Sequence, residues 1–537
     1  MISDDGTIYF LIRSYPDDMS AGETADFLMM DAAPAMEKSM SRADTAVSFY
    51  GSHNINSMNY FNTEEYSRIY ENSFFRVLDN PQSIFSIDVD TASYTNIRRY
   101  INKGQLPPRD AVRIEEMINY FDYDYPAPEG DIPFSIYTEA AECPWNRDHR
   151  LVLIGLQAKK IETEELPPNN LVFLVDVSAS MDSPDKLPLL KKALILLADE
   201  LREEDRISLV TYSGYTEVVL DSVSGKEKDK IKKAIDNLEP WGSTAGGAGI
   251  VKAYEIAKKN YLREGNNRVI LATDGDFNVG VSSTGELVRL IEEKREEGIF
   301  LTVLGFGTGN YKDSRMEELS NKGNGNYAYI DNLLEAKKVL IRELGGTLYT
   351  IAKDVKIQVE FNPAKVREYR LIGYENRVME NQDFDDDRKD AGELGAGHSV
   401  TALYELVPAD GDDIDLYSDL VYLQTIIKEE AYQSNELLTI KLRYKEPDEN
   451  ESRLISAVLA DHIKGIADAS ENFRFAASVA QFGMLLLDSE FKGDASYQGV
   501  IELAKDAKGK DEYGYRTEFI RLVEMIELIV QTGADKY

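Results

Sequence analysis

The strongest constraint on the fold is an alternation of apolar runs and helical stretches between residues 171 and 345. The runs LVFLVDVS, NRVILATD and IFLTVLGFG are almost continuously apolar, which is typical of strands that are buried on both faces of a sheet. The stretch LPLLKKALILLADEL places its apolar residues at three- and four-residue spacings, which indicates one buried helix face. The alternation predicts an α/β fold, in which helices cover both sides of a doubly wound, mostly parallel sheet.

Two neighbouring runs in this segment depart from the parallel pattern. Only Gly214 and Tyr215 separate RISLVTYS from TEVVLDSV. A parallel crossover needs a dozen or more residues, whereas a hairpin needs about two. The sequence therefore predicts a hairpin that adds one antiparallel edge strand to the sheet.

The flanking segments have the two-residue periodicity of strands with one buried face. IPFSIYTEA and HRLVLIGLQA precede the α/β segment, and DVKIQVEF follows it. We expect strands from 132–158 and 352–445 to pair in one β-rich, sandwich-like scaffold that carries the α/β domain as an insertion. Helical periodicity then predicts three closing helices, over roughly 470–489, 496–508 and 514–532.

Four segments are expected along the chain. They are a loosely ordered lead-in (1–75), an N-terminal extension of helices and scaffold strands (76–165), the α/β domain (166–345) and a C-terminal extension of strands and then helices (346–537). In the N-terminal extension, Pro107 and Pro108 fit the first turn of a helix. Asp90 or Thr91 is expected to cap the preceding helix, SYTNIRRYI.

Charge and hydropathy restrict the partners. Among 537 residues, Asp and Glu number 95 against 60 Lys and Arg, a formal net charge of -35. Nucleic acids and anionic membranes bind basic surfaces, so we expect neither as a partner. No apolar run approaches the about 18 residues that predict a transmembrane helix. The start, MISDDGTIYFLIRSYPDD, lacks a basic region and a long apolar stretch, and predicts no signal peptide as written.

Polar residues follow two core strands and precede one helix of the α/β segment. Asp176, Ser178 and Ser180 follow the first strand, Thr244 lies in WGSTAGGAG before a helix, and Asp274 lies in ATDGD after the next core strand. Ligands of doubly wound sheets bind beyond the carboxyl ends of the strands. These side chains are therefore expected to converge on one crevice.

Carboxylates and hydroxyls together suit a hard cation. Mg²⁺ takes six oxygen ligands and usually keeps several waters, so a carboxylate from outside could replace one of them. We expect Mg²⁺, with Ca²⁺ or Mn²⁺ as alternatives. No residue of the set is an obvious nucleophile or general base, which favours binding over catalysis. The alternative is that Ser178, Ser180 and Thr244 only cap helices and satisfy turns.

In these residues the segment 171–345 resembles a von Willebrand factor A (VWA) domain with a complete metal-ion-dependent adhesion site. The resemblance implies that Asp176, Ser178 and Ser180 form its first loop, Thr244 its second and Asp274 its third, and that a ligand Asp or Glu completes the coordination. FSIDVDTASY, LPPRDAVRIEEMINYF and CPWN, with AKDVKIQVEFNPAKV and YRLIGYENR after the domain, resemble the extensions of bacterial YfbK-type VWA proteins. That family implies an exported or lipid-anchored protein.

Three functions follow from this interpretation. The leading one is a non-enzymatic, metal-dependent binding or adhesion module of the bacterial cell envelope, whose protein partner presents an Asp or Glu carboxylate. The second is a cytoplasmic assembly or chaperone partner of an ATPase complex. The third is a metal-dependent hydrolase or phosphatase that uses Asp88, since IDVDTAS approaches the D-x-D-x-T pattern; Ala92, however, stands where that pattern needs Thr.

One further acidic stretch imitates a calcium loop. In DFDDDRKDAGEL (383–394), Asp383, Asp385 and Asp387 have the ligand spacing of an EF-hand, but Arg388 and Leu394 replace its Gly and Glu. The stretch therefore predicts an acidic loop without an ion.

Overall fold

The computed structural model describes residues 64–533 with gaps at 88–89, 131, 162–165, 244–245, 276–283, 310, 344–348, 410–425, 448 and 450. Most of the predicted lead-in lies outside the described residues, and the limits predicted for the four segments stay predictions. The strands are β1 Phe75–Arg76, β2 Gln82–Ser86, β3 Phe134–Glu142, β4 Arg150–Ala158, β5 Asn169–Asp176, β6 Arg206–Tyr212, β7 Thr216–Ser224, β8 Asn266–Thr273, β9 Ile299–Phe306, β10 Tyr327–Ile330, β11 Thr350–Phe361, β12 Val366–Ile372, β13 Gly392–Gly395, β14 Ser399–Pro408, β15 Glu436–Lys445 and β16 Ser452–Ala460.

Helices lie between and after these strands. They are α1 Ala92–Asn102, α2 Ile114–Asn119, α3 Leu187–Glu200, α4 Lys228–Asp236, α5 Gly246–Lys259, α6 Thr284–Glu296, α7 Asp313–Lys322, α8 Leu333–Lys337, α9 Glu429–Gln433, α10 Glu471–Leu487, α11 Tyr497–Asp506 and α12 Tyr515–Thr532. Within the described part of the chain, no helix is long and apolar enough to cross a membrane.

The α/β segment forms a six-stranded sheet in the order β10-β9-β8-β5-β6-β7. Its strand pairs are parallel except for β6 and β7, which form the predicted hairpin at one edge. Helices α3, α4 and α8 share a core with one face of the sheet, and α5, α6 and α7 share a core with the other. The doubly wound, mostly parallel fold is thus confirmed.

A β-sandwich carries this domain. One of its sheets has the order β1-β12-β14-β4-β3, and the other is β13-β11-β15-β16 with β2 paired to β11. Strand β4 precedes the α/β segment and β14 follows it, yet the two are antiparallel neighbours, with Leu153 opposite Leu403. Apolar side chains of both sheets, among them Val152, Val355 and Ile440, form one core. The predicted insertion is confirmed.

The three closing helices, α10 to α12, also agree with the prediction. They pack with α1 and α2 around a separate core that contains Phe121, Phe475 and Phe519, whose rings meet edge to face. Cys143 is buried in this core as a free thiol.

The predicted helix start at Pro107 and Pro108 is wrong. The chain forms a single 3-10 turn over Arg109–Ala111, and α2 begins only at Ile114. The Ser93 hydroxyl donates to the Ala111 carbonyl at 2.7 Å and accepts from the Arg113 amide at 2.8 Å. Because these tertiary bonds take backbone groups that a continuous helix would need, the helix starts after them.

The expected cap of α1 by Asp90 or Thr91 is also wrong. Thr91 occupies the N-cap position without a side-chain hydrogen bond, and the Glu116 carboxylate accepts from the Ser93 amide at 2.7 Å. Asp90 instead accepts from the backbone amide of Tyr327 in β10 at 2.8 Å. This aspartate therefore ties the start of α1 to the inserted sheet.

A buried guanidinium joins three parts of the chain. Arg98 of α1 donates to Asp331, after β10, and to Glu335 of α8, both at 2.8 Å, and to Glu518 of α12 at 3.0 Å. Its side chain is only 3% exposed. The Arg98 cluster, composed of these four residues, links the scaffold, the inserted domain and the closing helices.

Candidate metal centre

Two aspartates come together because their strands are parallel neighbours. Strand β5 ends at Asp176, and Asp274 follows β8 directly. In the register of the two strands, Val175 is opposite Ala272, so both strands end at the same edge of the sheet. Both aspartates are buried. The parallel pairing thus places the two carboxylates at one edge of the sheet, where the sequence predicts them.

Within the described part of the chain, the donors to Asp176 are neutral groups. Its carboxylate accepts from the Ser178 amide at 2.8 Å, the Tyr212 hydroxyl at 3.1 Å and the Thr273 hydroxyl at 3.4 Å. Burial raises the pKa of Asp176 to about 6, and the charge of Asp274 acts in the same direction, while the bonds from Ser178 and Tyr212 oppose the rise. The ionised carboxylate is therefore costly here unless a cation approaches it.

The two serines of the first loop lie beside each other. Their hydroxyl oxygens are 2.9 Å apart, with Ser178 buried and Ser180 exposed. The loop is a 3-10 turn over Ala179–Asp182, which turns both hydroxyls to the same side of the chain. Thr244, the remaining member of the predicted set, lies outside the described residues.

Lys186 is a member of this site that sequence reasoning missed. Its ammonium donates to Asp274 Oδ2 at 2.9 Å and to the Ser180 carbonyl at 3.0 Å. The only signal in the sequence is a lysine directly before the helix that follows the D-x-S-x-S loop. A lysine in that position is normally read as a solvated surface residue.

The donor set fits a hard divalent cation. Its described members provide two carboxylates and two hydroxyls, all oxygen donors of the kind that Mg²⁺ and Ca²⁺ prefer. Among the described residues, no group of three or more His, Cys, Asp or Glu side chains is placed to hold a metal ion. A cation in this crevice would therefore depend on the serine hydroxyls and on water as well as on the aspartates.

An exposed aromatic pair borders the first loop. Tyr215, at the tip of the β6–β7 hairpin, and Trp241 are 55% and 42% exposed, and their ring centroids are 4.5 Å apart. The Trp241 amide donates to the Val177 carbonyl at 2.7 Å, between the two metal-loop positions Asp176 and Ser178. The pair is thus attached to the backbone of the site.

The other acidic stretches are arranged differently. Asp88, the candidate phosphatase nucleophile, lies outside the described residues. In the calcium-like loop, Arg443 contacts Asp385 at 2.9 Å and Asp387 at 3.2 Å, and Lys389 contacts Asp383 at 3.3 Å. Side-chain cations of the protein thus lie against all three carboxylates at calcium-ligand spacing.

Family models match nearly the whole of the described chain. The von Willebrand factor type A domain model matches residues 170–342, a model described as von Willebrand factor matches 60–153, and the model of the C-terminal part of "Uncharacterized protein YfbK" matches 346–529. The inserted α/β domain is accordingly a VWA domain.

Whole-chain similarity then gives the family. The chain is 44% identical to YfbK of Escherichia coli over 472 residues, which cover 87% of this chain and 81% of that protein. It belongs to the YfbK-type family of VWA proteins.

Two further similarities are weaker. Protein sll0103 of Synechocystis is 27% identical over 35% of this chain and 43% of its own length. A von Willebrand factor type A structure from Catenulispora acidiphila covers 73% of this chain and 89% of its own, with 16% identity and a TM-score of 0.39.

Proposed function

We propose that the protein is a metal-dependent protein-binding module. Asp176, Ser178, Ser180, Thr244 and Asp274 hold a divalent cation, Mg²⁺ by first choice, with Ca²⁺ or Mn²⁺ as alternatives. The bound cation supplies a Lewis acid with open coordination positions, and a carboxylate of a partner protein occupies one of them. VWA domains are typically interaction modules rather than enzymes, which supports this assignment.

One observation carries the proposal. Among the described residues, the donors to the buried Asp176 carboxylate are all neutral. Buried charges are normally paired or coordinate metals, and Asp274 and two serine hydroxyls are the neighbours that a divalent cation needs. The crevice therefore combines an unneutralised charge with the right oxygen ligands.

A protein partner is favoured by the surroundings of the crevice. Interface hot spots are enriched in Trp and Tyr, and Tyr215 and Trp241 form an exposed pair beside the metal loop. A partner that places a carboxylate on the cation would extend over these rings. By family resemblance we place this interaction at the cell envelope, and cell fractionation tests that placement against a cytoplasmic one.

Calorimetric titration of the metal-free protein with Mg²⁺, Mn²⁺ and Ca²⁺ tests the metal centre. We expect one binding event that Asp176→Ala abolishes and Asp182→Ala, at an exposed position of the same loop, leaves intact. The metal-loaded protein should then bind an end-blocked Gly-Glu-Gly peptide more tightly than Gly-Gln-Gly. Metal binding that survives Asp176→Ala would contradict the proposed site.

A further inference from the structure

The side chain of Lys186 connects two loops of the metal centre from inside the protein. The residue is 7% exposed and directly precedes α3. Its ammonium lies 2.9 Å from Asp274 Oδ2 and 3.0 Å from the carbonyl oxygen of Ser180. The carboxylate that it contacts is fully buried, at 0% side-chain exposure. Lys186 is therefore a fixed positive charge within the site and not a solvated surface group.

A glycine makes room for this lysine. Gly307, which follows β9 in the GFGTGN stretch, has φ +74, and a Cβ atom there would lie 2.2 Å from Lys186 Cε and 2.4 Å from its Cγ. The Gly307 carbonyl is held in turn by the Tyr329 hydroxyl at 2.6 Å. The lysine stem thus runs past a backbone position where a Cβ atom would displace it, and the glycine leaves the space in which the ammonium reaches Asp274.

This placement gives the two aspartates neighbours of different charge. Asp274 has a cationic neighbour, whereas Asp176 has hydrogen bonds from neutral groups. Two carboxylates alone would formally neutralise a divalent cation. With the Lys186 ammonium included, the loaded site has one net positive charge. A positive site repels the incoming metal ion and attracts an anion.

We propose that Lys186 is a specificity-determining counter-charge: it weakens binding of the bare metal ion and strengthens binding of an anionic ligand to the loaded site. The chemical class of ligand is a carboxylate-bearing protein segment, and the proposal rests on the proposed function of the same site. Metal and ligand then favour each other's binding, since the ligand carboxylate neutralises the excess positive charge that Lys186 gives the loaded site. Because such coupling is reciprocal, a bound ligand also increases the affinity of the site for the metal ion.

The test compares two affinities in Lys186→Met and in wild type by calorimetry. We expect Lys186→Met to bind Mg²⁺ at least about tenfold more tightly. Even in a medium of high dielectric constant, the repulsion between a unit positive charge and a divalent cation a few ångströms away lowers the affinity by about that factor. The same variant, saturated with Mg²⁺, should bind the end-blocked Gly-Glu-Gly peptide several-fold more weakly. Lys192→Met, at an exposed position of α3, should change neither affinity. Lys186→Arg, which keeps the positive charge, should have affinities for Mg²⁺ and for the peptide close to those of wild type.

Opposite changes in the two affinities separate a counter-charge from a structural support. If Lys186→Met folds, as judged by circular dichroism, and both affinities fall together or neither moves, the inference is overturned. If that variant does not fold, Lys186→Gln, which keeps a hydrogen-bond donor, is measured against the same criteria.

The same measurements distinguish failure of the counter-charge from failure of the proposed metal centre. Wild type that binds Mg²⁺ through Asp176, with Lys186→Met unchanged, would remove only the counter-charge. If neither wild type nor Lys186→Met binds Mg²⁺, the metal centre and the counter-charge are both refuted.

Discussion

Two buried carboxylates at the same end of the inserted sheet have opposite environments. Glu64 accepts both terminal nitrogens of Arg99, at 2.8 and 2.9 Å, and the amide of Gly309 in the loop after β9, at 2.8 Å. Burial alone would raise the pKa of Glu64, but the hydrogen bonds and the charge of Arg99 outweigh it and lower the pKa to about 2. Asp176, at the end of β5, has neutral donors, and its pKa rises to about 6.

The difference lies in how the charge of each carboxylate is balanced. The bidentate guanidinium of Arg99 satisfies Glu64 and fastens the segment before β1 to α1, while the Gly309 amide ties the same carboxylate to the VWA domain. No cationic group of the described residues donates to Asp176, and on the proposed function a divalent cation would balance its charge. Burial is common to both sites, so the presence or absence of a cationic partner distinguishes them.

Removal of the partner of Glu64 should have the largest effect. Arg99→Met leaves the Glu64 carboxylate buried without its cation, and breaking such a pair typically costs about 3–5 kcal/mol. Urea unfolding of the metal-free protein at pH 7 measures the change. The double variant Glu64→Met/Arg99→Met should recover much of the loss, and a single-variant loss below about 1 kcal/mol would show that Glu64 is not held by this pair.

Addition of a cation should stabilise the other site. At a Mg²⁺ concentration of 100 times its Kd, the free energy of unfolding of wild type should rise by about 2.7 kcal/mol, since the folded protein alone binds the ion. The same addition should leave Asp176→Asn unchanged. Equal stabilisation of both proteins would place the ion elsewhere on this acidic chain.

Neutralisation of Asp176 should help the metal-free protein. Asp176→Asn keeps an oxygen acceptor for the Ser178 amide but removes a buried charge, and we expect the free energy of unfolding at pH 7 to rise by about 1–3 kcal/mol. Asp182→Asn, at an exposed position in the same loop, is the matched control. A loss of stability in Asp176→Asn alone would mean that the carboxylate serves the fold.

Acid should weaken the Glu64 contact in a defined range. Because the folded pKa lies below the ordinary value of 4.5, the contribution of Glu64 is complete above about pH 4.5 and is lost as the pH falls towards 2. Allowing for solvent screening, its size is about 1–2 kcal/mol. The free energy of unfolding of Glu64→Gln should decline less steeply over this range, and parallel curves would count against the assignment.

The smallest effect is expected for an exposed ion pair. Lys226 and Glu203 lie 2.7 Å apart with both side chains 68% exposed. Lys226→Gln should change the free energy of unfolding by less than about 0.5 kcal/mol. A larger change would indicate that the contribution of an ion pair to the free energy of unfolding depends on contact geometry more than on burial.

Much of the fold follows from periodicity. Continuous apolar runs alternating with helices predict the parallel sheet, the two-residue spacing at Gly214 and Tyr215 predicts its antiparallel edge, and period-two strands on either side predict the sandwich. The helix at Pro108 was predicted wrongly because Ser93, distant in sequence, competes for the backbone groups of Ala111 and Arg113. A tertiary contact of this kind leaves no local signal.

In the candidate site, too, some residues could be predicted from the sequence and others could not. Asp176 and Asp274 could be placed together from the sequence, because parallel strands bring their carboxyl ends to one edge of the sheet. Lys186 could not, since its contact with Asp274 depends on the space that Gly307 leaves. The role of Arg99 likewise depends on a segment about 35 residues away along the chain.

The Arg98 cluster bears on how such a chain can change in evolution. Asp331 and Glu335 belong to the VWA domain, yet the guanidinium that pairs with them is contributed by α1, before the insertion, and shared with Glu518 near the C-terminal end of the chain. A VWA domain moved by recombination into another protein would lose the Arg98 guanidinium and retain the carboxylates of Asp331 and Glu335 without it. Exchange of the domain between lineages would then require the donor helix to travel with it, so the three regions are expected to be inherited as one unit.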